Sequence, residues 1–150
     1  MSSADQHRAT SNARGIIGLR ANSPAAAAML VVDSGLGVGV NLFASLPASD
    51  HRRELPAAFG GAVTGGPIVL TLHALLGTLL LVTGISAVVR ASLSRRTSLI
   101  AATSVALLAI LVAWLSGTRF VSDMSNAASL AMALATGVAL LCYTTILFIT

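Results

Sequence analysis

Residues 68–89 read IVLTLHALLGTLLLVTGISAVV and residues 90–96 read RASLSRR, and this junction decides the fold. The first string is twenty-two residues without Asp, Glu, Lys or Arg, and His73 is its one titratable side chain. At about 1.5 Å of rise per residue, it is long enough to cross the roughly 30 Å hydrocarbon core of a bilayer as a helix. Arg90, Arg95 and Arg96 then hold its end on the cytoplasmic side. Comparable apolar runs occupy about 25–46, 98–117 and 127–149. The sequence therefore predicts an all-α polytopic membrane protein: a four-transmembrane-helix bundle over 25–150 with both termini cytoplasmic. Arg8, Arg14 and Arg20 add to the cytoplasmic charge, against Arg52, Arg53 and Arg119 outside.

Composition excludes several function classes. With 150 residues, mean hydropathy +0.88, 55% hydrophobic and 9% charged residues, the chain is no ordinary soluble domain. Four spans take up about 80 positions and leave no room for a second folded domain. A single cysteine, Cys142, permits no internal disulfide, which removes the four-helix quinone-coupled thiol oxidoreductases. All nine basic residues are Arg, and the net charge of +4 lies mostly on the cytoplasmic side. That charge reads as topology and not as nucleic-acid binding. Phosphate loops, dinucleotide fingerprints, zinc-protease motifs and nucleophile elbows are missing, so no catalytic residue and no metal site are expected.

Residues 1–24 are polar and read as a disordered cytoplasmic tail, with Pro24 opening the first span. Asp33 inside that span, and its length, set aside a cleaved signal peptide. Gly35 and Gly39 form a small-xxx-small pair suited to contact with another helix, while Asp33, Gly37 and Asn41 lie on the opposite side. Residues 47–67, rich in Pro and Gly, read as an outer loop without regular structure.

Counting rise from the middle of each span sorts the polar side chains into two layers. Asn41 and His73 fall about 8 Å above the midplane, Met132 about 9 Å and Trp114 about 10 Å. Asp33 falls about 4 Å below it, near Thr83, Thr103, Ser104 and Tyr143. In this reading His73 bonds Asn41, and Asp33 shares hydrogen bonds with Tyr143 or a Thr hydroxyl. Trp114 reads as an interfacial anchor.

Three functions follow from these residues. The leading expectation is an accessory or structural subunit of the bacterial inner membrane, packed through its Gly35 and Gly39 face against another membrane protein or a second copy. The second is an electron carrier in which His73, with Met132, ligates haem b. The third is a small proton-coupled transporter built on Asp33. Four spans with one acid in the first resemble the small multidrug-resistance transporters, but the acid is Asp rather than Glu and the aromatic cage is missing. An intramembrane serine protease using Ser34 and His73 is rejected, because the two residues sit at different depths.

The chain also resembles uncharacterised small four-helix integral membrane proteins of GC-rich bacteria. The resemblance rests on Asn41-Leu42-Phe43, His73-Ala-Leu-Leu-Gly77, Gly117 and Phe120, and Ser129, Met132-Ala133 and Tyr143. It covers about 26–149 and implies the fold but no activity.

Overall fold

The structure, a computed structural model, describes residues 3–43, 55–64, 67–123 and 125–150. These form five helices: α1 (Ser3–Phe43), α2 (Leu55–Thr64), α3 (Ile68–Ser94), α4 (Thr97–Asp123) and α5 (Asn126–Ile149). Four contain stretches long and apolar enough to span a membrane: Gly15–Leu42, Ile68–Ser94, Thr97–Val121 and Asn126–Ile149. There is no strand among the described residues, and the protein is an all-α four-span bundle.

Two expectations are corrected. Residues 3–24 are helical, and α1 runs 41 residues straight through Pro24. A proline inside a helix removes one ladder hydrogen bond, which a membrane helix tolerates where neighbours pack around it. Here Leu19, Ser23, Ala26 and Leu30 follow the helical repeat on both sides of Pro24, and all four are buried. That continuous buried stripe outweighs the local signal of the proline. The second correction concerns the outer loop, where Leu55–Thr64 forms α2 and rests on α3 and α4. Pro56 suits its first turn, and the Thr64 hydroxyl donates back to the Gly60 carbonyl at 2.8 Å.

The spans pack antiparallel in the order α3–α1–α5–α4, and α4 returns to α3 to close the ring. At the end bearing Arg90, α1 comes close to α3 because Gly15 and Gly18 carry no side chain. A Cβ on Gly15 would lie 2.8 Å from the Arg90 carbonyl oxygen, and one on Gly18 would meet the Arg90 guanidinium. Further along, the Asn22 amide donates to the Thr83 carbonyl at 3.3 Å. α3 stops at Arg95, whose left-handed backbone (φ 55°) turns the chain into α4 within two residues. The main core fills this end of the bundle with Leu19, Ala87, Ala91, Leu99, Ala106 and Tyr143. A smaller cluster of Val40, Leu70 and Val121 sits toward α2.

Candidate functional site

Between the two clusters lies a cavity that every span lines. Its polar centre joins α1 to α3: Asp33 Oδ1 is 2.8 Å from His73 Nδ1. The same nitrogen is 3.2 Å from the Asp33 backbone carbonyl. Both neighbours are acceptors, so Nδ1 carries the hydrogen, and in a neutral ring Nε2 is the acceptor. The N–H lines up with the carbonyl, so Oδ1 makes a close charge contact but no aligned hydrogen bond. Asp33 is 9% exposed, and no Lys or Arg lines the cavity.

Glycines make this approach feasible. A Cβ on Gly37 would lie 3.2 Å from His73 Cε1, so the missing side chain lets the imidazole reach the α1 backbone. On α3, Gly77 opens a gap flanked by the Trp114 indole (3.8 Å) and Asp33 Oδ2 (4.0 Å). Gly117 on α4 takes the Met132 sulfur in the same way, at 3.4 Å.

The cavity measures about 80 Å³. It continues into a groove of about 320 Å³ between α1 and α5, bordered by Val38, Asn41, Ser129, Ala133 and Gly137, with Asp33 and His73 at its inner end.

The structure brings together most of the residues singled out in the sequence. Asp33, Gly37, Asn41, His73, Trp114, Met132 and Thr136 all line one space. The two-layer assignment is overturned, because Asp33 and His73 are at one level. With the first span beginning at Gly15 and not at residue 25, its centre moves toward the N-terminus. Asp33 then lies about 7 Å on the α2 side of the midplane. His73 pairs with Asp33 and not with Asn41. Tyr143 is fully buried in the main core, its hydroxyl without a hydrogen-bond partner, and does not line the cavity. Trp114 is no plain interfacial anchor, since its N–H donates to the Thr78 hydroxyl at 3.3 Å.

The proposed contact face divides: Gly39 faces Val69 of α3, while Gly35 has open space around it. Gly15 and Gly18, which make the tight α1–α3 contact, were missed because they fall in the stretch read as a tail. Their spacing with the buried Leu19 was the available signal. His73 and Met132, the candidate haem ligands, line the same cavity. Among the described residues, no group of three or more His, Cys, Asp or Glu could hold a metal ion.

Fold and site thus define a class: a polytopic helical membrane protein with an ionisable pair inside its bundle. Comparison with protein-family models, with curated proteins and with solved structures finds no match for this chain.

Proposed function

We propose that this is a small inner-membrane protein, with both chain ends on the cytoplasmic side, that binds a solute within the bilayer and exchanges it for a proton at Asp33 and His73. The observation that carries this reading is the 2.8 Å contact between the two side chains at the edge of an intramembrane cavity. An acid near the centre of a span costs about 2.5–3.5 kcal/mol on insertion scales, and such residues usually serve a pathway for ions or substrate. Apolar residues of similar volume would pack a bundle at no such cost, which favours a working site over packing alone. Six arginines at the Arg90 end of the chain's topology, against three opposite, support the orientation.

Proteoliposomes holding the full chain and a pH-sensitive dye test this. An imposed pH gradient should dissipate faster when a transported solute is added, and Asp33→Asn should remove the effect while the protein keeps its helical spectrum. Equal dissipation by wild type and Asp33→Asn across a panel of cationic, neutral and anionic solutes would sink the reading.

A further inference from the structure

The cavity and the α1–α5 groove meet at Asp33, and their linings specify both a route and a ligand. Val38, Ala133 and Gly137 border the groove and are exposed on the flanks of the bundle that face lipid. Gly137 has no atom within 4 Å of where its Cβ would be, and Ala133 adds only a methyl, so α5 leaves a gap beside α1. A molecule dissolved in the bilayer can therefore reach the carboxylate from the side, without passing either end of the bundle.

At the inner end of this route the charged group is an acceptor, since no Lys or Arg lines either space and the Asn41, Ser129 and Thr136 side chains there are neutral. Asp33 Oδ1 is buried without an aligned hydrogen bond. Oδ2 faces the Gly77 gap, the Met132 sulfur lies at Gly117, and the His73 ring offers Nε2 as an acceptor once its proton has left. The Trp114 N–H is already committed to Thr78. Asp33 and His73 are the only titratable side chains lining either space, on any of the helices, among the described residues. Such a site calls for a ligand that brings N–H donors and positive charge on an apolar body.

We propose, resting on the solute–proton exchange above, that the ligand is a primary or secondary lipophilic amine that enters sideways between α1 and α5. Its ammonium N–H groups bond Asp33 Oδ1 and replace the contact with protonated His73. The exchange balances: the ammonium enters with one positive charge, His73 gives up one proton to water, and the carboxylate stays ionised throughout. No covalent bond to carbon is made or broken. The amine is a free amphiphile and not a lipid headgroup. Asp33 lies about 7 Å from the midplane, whereas headgroups begin about 15 Å from it.

Calorimetry on the full chain in phosphatidylcholine nanodiscs, whose headgroups carry no N–H, tests this with 4-phenylbutylamine as probe. Titrations in two buffers of different ionisation enthalpy should report close to one proton released per amine bound. The isosteric alcohol 4-phenylbutanol should bind at least tenfold more weakly, as should the amine to Asp33→Asn, and Asp33→Glu should restore part of the loss. Gly137→Leu, on the lipid-facing rim and away from the ion pair, should slow association at least fivefold in stopped-flow mixing.

Equal binding of alcohol and amine, with Asp33→Asn unaffected, overturns the ligand class while leaving solute binding intact. Proton-releasing amine binding at an unchanged rate in Gly137→Leu and in Ala133→Leu overturns the lateral route alone. Amine binding without proton release overturns the exchange, and with it the function on which this ligand rests. No amine binding by a folded wild-type protein overturns the ligand proposal, while other solutes that still collapse the pH gradient would keep the exchange.

Discussion

The half of the bundle toward Arg90 and the half toward α2 are built from the same four helices, yet they are filled differently. In the first, Ala87, Ala91, Ala106 and Ala139 are fully buried and draw the backbones together around Leu19, Leu99 and Tyr143. In the second, Gly37, Gly77 and Gly117 face side chains of neighbouring helices, and a cavity remains between them. Small residues therefore do two opposite jobs in one chain. Where backbone meets backbone, as at Gly15 and Arg90, they close the structure. Where backbone meets a polar or soft side chain, as at Gly37 and His73, they make room for a site.

That contrast can be broken by substitution. Gly15→Leu forces a side chain against the Arg90 carbonyl oxygen, which cannot swing away, and should cost about 3 kcal/mol. Gly35→Leu, with open space around it, should stay within about 0.5 kcal/mol of wild type. Thermal unfolding in mild detergent compares the two, and similar losses would erase the distinction between halves. Tyr143→Phe removes a buried hydroxyl that has no partner, so stability should rise by about 1 kcal/mol; a fall would mean the hydroxyl is bonded.

On the cavity side, Thr78→Val removes the acceptor of the Trp114 N–H, at a cost of about 0.6 kcal/mol. Trp114 is the only tryptophan, so its emission should shift to shorter wavelength, and an unmoved spectrum would deny that bond. The smallest effect is expected at the turn. Arg95→Gly relieves a left-handed backbone and should stabilise by about 0.5 kcal/mol, read from the same melts.

The spans were legible in the sequence because uninterrupted apolar length is a direct consequence of bilayer thickness. The three runs after residue 67 were placed to within a few residues, apart from charged or polar ends that extend the helices into the interface. The first starts ten residues before the point the sequence predicts, because Pro24, which ordinarily opens a helix, lies inside this one. Only tertiary burial of Leu19 and Ser23 shows that the helix passes through it. The same displacement hid the Asp33–His73 pair. Both residues were recognised as candidates, but their depths depend on where each span begins, and that is set by packing rather than by composition. The face of α1 carrying Asp33, Gly37 and Asn41 was readable, since helical periodicity alone puts them on one side.

Asp33 and His73 are forty positions apart in the chain. At 5–20 residues per second, a ribosome needs roughly 2–8 s to add the histidine after the aspartate. For that interval the first helix offers an acid to the membrane with no partner to receive it, a penalty of about 2.5–3.5 kcal/mol. The span that carries Asp33 thus gains its partner only once the span that carries His73 has been made.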